Sequence, residues 1–287
     1  FDAMKQAISS FPSVEVGSKI FYKYRMKVTE GPIPDFFSAG FGVALGNVDS
    51  FRFRLRSRLP LKIYVNDSEQ LFEISQKEER RTSVIEVKNR HKVRYGVVQE
   101  DSPFVEADRL PAIFISTREP GQWQDFANDV LGYQERELAK ELPAVMKTIA
   151  EKAKALSAER RMATVSALVA ERFRYFGDWR RRAGGHLPRS LAEIAETGYG
   201  DCKDMSLTVV AIARAMGLKS DLAWVWRGDV PPGPMSYILP SEAGFNHAIA
   251  RVEDGSRVFW VDATNPVAMT DGKVQADIAD RQAFVLS

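Results

Sequence analysis

Few residues in this chain can do chemistry, and one is unique: Cys202 is the only cysteine among 287 residues. It stands in Gly198-Tyr199-Gly200-Asp201-Cys202-Lys203-Asp204, ahead of an apolar run from Met205 to Met216. Between Met205 and Ala213 only Ser206 and Thr208 are polar. That spacing predicts a helix apolar nearly all round, and therefore buried, with Gly217 as its stop. The first N–H groups of a helix lack intrahelical partners, and its N-terminus carries partial positive charge. A thiol placed there ionises more readily, and the thiolate is the nucleophile. The plainer alternative for a lone cysteine is a small buried hydrophobe. A second cluster downstream weighs against it.

Phe245–Val252 and Ser256–Asp262 read as strands joined at Asp254-Gly255, a two-residue hairpin signal. With those two residues as the loop, Glu253 faces Ser256. The same register sets His247 opposite Asp262, with Cβ atoms roughly 4.5–5.5 Å apart. A slip of one residue would put them on opposite faces. A carboxylate beside an imidazole fixes its tautomer and stabilises the imidazolium, which leaves the other ring nitrogen to deprotonate a thiol. Cys202, His247 and Asp262 thus read as nucleophile, base and orienting acid. Taken singly, His247 is as well explained as a satisfied core histidine and Asp262 as a strand-end cap. Their conjunction favours chemistry. Asp201 and Asp204 work against it, because like charge disfavours a thiolate. The expectation is that Asp204 turns away and bonds the backbone or Lys203.

Three motifs carry a family resemblance: Gly200-Asp201-Cys202-Lys203-Asp204 before the apolar helix, Phe245-Asn246-His247-Ala248, and Val261-Asp262-Ala263-Thr264. In order and spacing they resemble the transglutaminase-like superfamily of thiol enzymes, over roughly residues 125–287. The resemblance implies a papain-like core, with the cysteine on a central helix packed against an antiparallel sheet. It also implies Cys202 as nucleophile, His247 as base and Asp262 as its partner. It is specific to the superfamily and not to a reaction, since members include cross-linking acyltransferases, peptidases, deamidases and inactive relatives. It further implies a protein or peptide substrate and a bacterial periplasmic or exported location. Tyr175 and Trp179, in the region that lies beside the cysteine in that family, are candidates to line the acyl pocket and assist the oxyanion. Otherwise they are core or rim aromatics. His186, in a Gly-Gly context, is a rival imidazole without an acid at predictable register.

The elements that must position these residues divide near Thr117–Gln122, where Pro120-Gly121 breaks the pattern. Residues 1–120 read as a β-rich domain and 121–287 as the cysteine-nucleophile domain. In the first, short strands such as Phe51–Arg56, Leu61–Val65 and Val84–Val87 alternate with turns, the pattern of an antiparallel sandwich. Gly31–Asn47, rich in glycine, proline and phenylalanine, reads as a loop or irregular edge. Val14-Glu15-Val16-Gly17-Ser18 leading into a tyrosine-rich strand, and Pro111–Thr117 before Trp123-Gln124-Asp125-Phe126, resemble a bacterial β-rich domain of unknown function found ahead of transglutaminase-like cores. From Trp123 the pattern is helical: Trp123–Tyr133, Pro143–Leu156, then a face of Met162, Val165, Leu168, Val169, Phe173 and Phe176. Leu191–Glu196 is a short helix, and Ser220–Gly228 a strand with Leu222, Trp224 and Trp226 on one face. The proline-rich stretch Asp229–Gly244 is a long loop expected to border the cleft. The fold class is α+β: an N-terminal antiparallel β-sandwich-like domain followed by a papain/transglutaminase-like α+β core. The start at Phe1 and the stop within a strand-like Gln282–Leu286 read as a piece of a longer protein, truncated at its C-terminus.

Composition excludes several classes. A net charge of +2 gives no reason to infer a polyanionic partner. The stripe Arg52, Arg54, Arg56, Arg58 reads as a solvated strand face balanced by nearby glutamates, not a nucleic-acid surface. No stretch approaches the roughly 20 apolar residues of a membrane span. One cysteine excludes an internal disulfide framework, and His91, His186 and His247 lack metal-ligand spacing. The sequence gives no indication of oligomeric state. The chemistry expected is thiol-dependent acyl transfer or hydrolysis on a peptide or carboxamide through a Cys202 thioester, with no cofactor. The alternative is a binding or scaffolding module that keeps the fold without turnover.

Overall fold

The computed structural model describes residues 10–19, 27, 33–42, 47–94, 111–177, 187–228, 232–265 and 277–287. Most of the expected tyrosine-rich strand that follows Ser18, together with Trp179 and His186, lies outside them.

The N-terminal half supplies strands β1 (Ser38–Gly42), β2 (Asn47–Val48), β3 (Arg52–Ser57), β4 (Lys62–Asn66), β5 (Phe72–Glu78), β6 (Ser83–Asn89), β7 (Val93–Arg94) and β8 (Ala112–Ser116). They form antiparallel sheets of order β1-β8-β4 and β3-β6-β5, and the pair β2-β7. Side chains alternate faces along a strand. In β3 the arginines therefore point out while Phe53 and Leu55 turn inward. Arg52 pairs with Glu86 at 2.7 Å, and Arg54 and Arg56 approach Glu79 at 3.6 and 3.9 Å. Ile113 and Ile115 of β8 and Ile85 and Val87 of β6 belong to one apolar cluster, so the two three-stranded sheets share a core. Strand β1 falls within the Gly31–Asn47 stretch that reads as irregular, and β2 begins at its last residue. At Gly40 a side chain would begin 3.4 Å from the Phe114 ring.

The C-terminal half supplies helices α1 (Trp123–Leu138), α2 (Ala144–Lys154) and α3 (Ala158–Arg172), then β9 (Arg174–Tyr175), α4 (Leu191–Thr197), β10 (Tyr199–Gly200), α5 (Cys202–Ala215), β11 (Lys219–Val225), β12 (His247–Asp254), β13 (Arg257–Val261) and β14 (Ala283–Leu286). The last four strands make an antiparallel sheet of order β13-β12-β11-β14. Every residue of α5 from Lys203 to Ala213 is buried. The helix packs against β11 and β12 on one side and α2 and α3 on the other. Helix α3 ends before the apolar repeat does. Phe173 leaves helical geometry at φ −118° and ψ 118°, although its side chain stays in the core. The N–H groups of Arg174 and Phe176 then donate to the carbonyls of Gly198 and Gly200, at 2.9 and 2.8 Å. Pairing between β9 and β10 thus overrides the helical periodicity.

The proline-rich loop joins the two halves. Ser241 Oγ lies 2.9 Å from Ser38 Oγ, and the Pro240 carbonyl accepts from Ser116 Oγ at 2.8 Å. Trp123 Nε1 donates to the Tyr237 carbonyl at 3.1 Å. Trp123, Phe126, Trp224, Phe245 and Phe284 pack ring on ring beneath it. An open cleft of about 210 Å³ follows this seam, lined by Gly40, Phe114, Leu239 and Ala243 among others. Its lining includes neither Cys202 nor His247.

Candidate active site

One wall of the site is built from a short piece of chain. Helix α4 is capped by the Ser190 hydroxyl, which accepts from the Glu193 N–H, and it ends at Gly198 with φ 68°. Three residues later Asp201 caps α5. Its Oδ1 accepts from the N–H groups of Lys203 and Asp204 at 3.0 and 3.3 Å, and Asp204 Oδ2 accepts from the Asp201 N–H at 3.2 Å. This reciprocal capping box leaves Cys202 as the first helical residue. The Asp204 carboxylate also accepts from the N–H and Nε of Arg189, at 2.7 and 2.8 Å. The Arg189 guanidinium in turn sits 4.5 Å from the centre of the Tyr199 ring. Lys203 donates to Asp201 Oδ2 at 2.6 Å. Lys203 thus goes to Asp201, and Asp204 to Arg189 and the backbone. Burial raises the Asp201 carboxyl above its usual range, with Lys203 opposing the rise. Gly200 is required by contact: a Cβ there would lie 2.6 Å from Cβ of Asp204.

The other wall is the hairpin, and its register differs from the sequence expectation. Asp254 pairs with Arg257, so Gly255 and Ser256 are the loop residues, not Asp254 and Gly255. Gly255 has φ 65° and Ser256 is not among the positive-φ residues. Glycine with positive φ at the first loop position is the pattern of a type II′ turn. Asp254 is thereby kept in the strand, where it pairs with Arg161 of α3. The shift amounts to two residues, one full period of side-chain alternation, so His247 and Asp262 keep a common face. They meet diagonally: His247 Nε2 lies 2.8 Å from Asp262 Oδ2, with both side chains 3 % exposed.

The Asp262 carboxylate is fixed on its other oxygen as well. Oδ1 accepts from the Thr264 N–H at 3.0 Å and from its hydroxyl at 2.7 Å. Arg227 Nη1, at the end of β11, stands 3.7 Å from Oδ2. Because Asp262 occupies Nε2 of His247, Nδ1 is the nitrogen left for the thiol. Cys202 is near enough to that ring to raise its proton affinity. Burial works against a charge on His247, but Asp262 and Cys202 outweigh it and raise the imidazole from 6.5 to about 9. Helix and strand are held in place one turn below the cysteine, where Ser206 Oγ donates to the Ala248 carbonyl at 2.9 Å. Tyr175, paired with Gly200 across β9 and β10, is half exposed. Burial raises its phenol above the usual range, and Cys202 adds to the rise, so the hydroxyl keeps its proton beside the cysteine.

The structure therefore brings Cys202, His247, Asp262 and Tyr175 together. Trp179 lies outside the described residues. Sequence reading missed Arg189, Arg227 and Thr264. Thr264 was legible in principle, since a threonine two residues after a strand-end aspartate commonly closes a local turn. Arg227 carries no such signal. Among the described residues no group of histidine, cysteine, aspartate and glutamate could hold a metal ion.

No family model matches the chain, and no curated protein matches it. Among solved structures, a candidate protease from Parabacteroides distasonis aligns over 90 % of this chain with a TM-score of 0.61 at 11 % identity. The chain spans about half of that protein, 47 % of its length. A candidate cysteine protease from Cytophaga hutchinsonii aligns over 86 % of this chain and 87 % of its own, at TM-score 0.32 and 12 % identity. A structure described as a TGase aligns over 71 % of this chain and 47 % of its own, at TM-score 0.31 and 14 % identity. At those two scores nothing is argued from the alignments. The first is a likeness of fold. Together with a cysteine-tipped buried helix lying on an antiparallel sheet, it gives an α+β fold shared with that protein.

Proposed function

We propose that this protein is a thiol-dependent acyltransferase or hydrolase acting on a peptide or carboxamide, with Cys202 as nucleophile, His247 as base and Asp262 orienting it. The observation that carries the reading is the buried His247–Asp262 pair at 2.8 Å, with Cys202 at the first position of a buried helix and near enough to the same ring to raise its proton affinity. An imidazole titrating near 9 is charged at neutral pH, and a charged imidazole beside a thiol favours the thiolate. The thiolate attacks the carbonyl. The Cys202 N–H, which Asp201 leaves untaken when it caps Lys203 and Asp204, faces the developing oxyanion. The Tyr175 hydroxyl is the candidate second donor. Trp179 stays a candidate on sequence grounds. His247 protonates the departing amine, and water or a second amine resolves the thioester. Water makes the protein a peptidase or amidase; an amine makes it a cross-linking transferase.

The proposed organisation keeps residues 1–120 as a β-rich domain ahead of the thiol domain at 121–287. The reading is tested by iodoacetamide labelling across pH. Fast labelling of Cys202 that slows at least tenfold in His247→Ala is the expected result. Slow labelling unchanged by that substitution overturns the enzyme in favour of a binding module. An adduct trapped on Cys202 from a peptide library would then name the acyl donor.

A further inference from the structure

We infer that Arg227 is a positioning residue of this site: its guanidinium grips Thr264 and Asp277 and so aims the Asp262 carboxylate at His247. The inference rests on the reading that His247 is the working base, but it stands on contacts of its own.

The backbone of Arg227 is fixed by the residue before His247. The ladder between β11 and β12 ends at Val225 opposite His247. Beyond it the Asn246 side chain takes over, accepting from the Arg227 N–H at 2.6 Å and donating to its carbonyl at 2.8 Å. The side chain then reaches three groups. Nε donates to Asp277 Oδ2 at 2.7 Å, Nη1 donates to Thr264 Oγ1 at 3.2 Å, and Nη1 stands 3.7 Å from Asp262 Oδ2. A threonine hydroxyl has one proton to give and lone pairs to receive. With Arg227 donating to the oxygen, the proton is directed to Asp262 Oδ1, 2.7 Å away. One carboxylate oxygen is thereby held by Thr264, and the other is left facing Nε2 of His247.

Orientation and charge predict opposite outcomes here, which makes the inference testable. The charged or titratable groups around His247 are Asp262 after β13, Cys202 on α5, Arg227 after β11, Asp277 before β14 and, further out, Asp201 and Tyr175. Asp277 pairs with Arg227, so removing the guanidinium makes the surroundings more negative. By Coulomb's law alone the imidazole would then hold its proton to higher pH. Loss of aim weakens the His247–Asp262 hydrogen bond and moves the titration down.

The experiment follows the His247 ring by NMR titration in the full chain, assigned with His247→Ala. It needs no substrate, so its failure is separable from failure of the proposed activity. Arg227→Gln is expected to lower the midpoint from about 9 by about one pH unit. Arg227→Lys is expected to lower it too, because a single ammonium cannot engage Thr264 and Asp277 as a planar fork does. Thr264→Val, which keeps the backbone donor and the shape, is expected to move the midpoint in the same direction and serves if the Arg227 variants do not fold. A midpoint that is unchanged or raised in Arg227→Gln, restored in Arg227→Lys, or indifferent to Thr264→Val overturns the inference.

Discussion

The two walls of the site are held by different means. On the helix side Asp201, Lys203 and Asp204 bond within four residues of one another, and the most distant partner, Arg189, is 15 residues away in sequence. On the hairpin side Asp262 depends on Arg227, which lies just past the end of β11 and is anchored to Asp277, 50 residues further on. The difference assigns the acids. Both carboxylates flanking the cysteine are consumed by capping and ion pairing, and only Asp262 faces the imidazole. The largest expected effect comes from breaking the self-contained wall. Asp204→Ala removes half of the capping box and takes from Arg189, whose side chain is only 12 % exposed, its close carboxylate, leaving it the Tyr199 carbonyl, Thr197 and, at 3.9 Å, Glu193. Removing one partner of a buried pair costs about 4 kcal/mol. Urea unfolding should show that loss. A loss below about 1 kcal/mol would mean this wall is not held by that pair.

The hairpin wall should instead announce itself through pH. The folded His247 titrates near 9, above the ordinary 6.5. Its contribution is therefore fully present below about pH 6.5 and is lost as pH rises through about 9. The size is about 3 kcal/mol, from 1.36 kcal/mol per pH unit. Unfolding free energy measured from pH 6 to pH 10 should fall by that order, and His247→Ala should flatten the fall. A wild-type profile already flat over this range would contradict the geometry.

The third effect concerns packing between the walls' own parts and shows what a sequence can carry. Gly200→Ala would push a methyl to 2.6 Å from Cβ of Asp204, so the box must open. Overpacking of this kind costs about 2 kcal/mol. Calorimetry should show a lower melting temperature, with a smaller shift than in Asp204→Ala. The cysteine-tipped helix was legible because it depends on local chemistry: a glycine turn, an aspartate cap and an unbroken apolar run. Strands β3, β4 and β11 were legible for a similar reason, because alternation or apolar continuity survives in the string. The end of α3 was not. Phe173 and Phe176 continue the helical spacing, and only the partner strand at Tyr199–Gly200 draws the backbone away from it. Arg227 was invisible because its partners come together only after the sheet has formed.

The smallest effect tests why His247 and Asp262 survive an error in register. Asp254-Gly255 and Gly255-Ser256 are both acceptable hairpin loops on local chemistry, since a type I′ turn takes Asp-Gly and a type II′ turn takes glycine first. What separates them is distant: Asp254 has Arg161 of α3 waiting for it in the strand, and a loop position would forfeit that pair. The two registers differ by a full period, so either one leaves the imidazole and the carboxylate on one face. Gly255→Ala tests this. At φ 65° a side chain is strained and nothing packs against it, so the cost should be about 1 kcal/mol of stability. The His247 titration should stay where it is, because Asp262 is held by Thr264 and Arg227 and not by the turn. A midpoint that moved with the turn would place the control of that carboxylate in the hairpin loop and take it away from the strand ends.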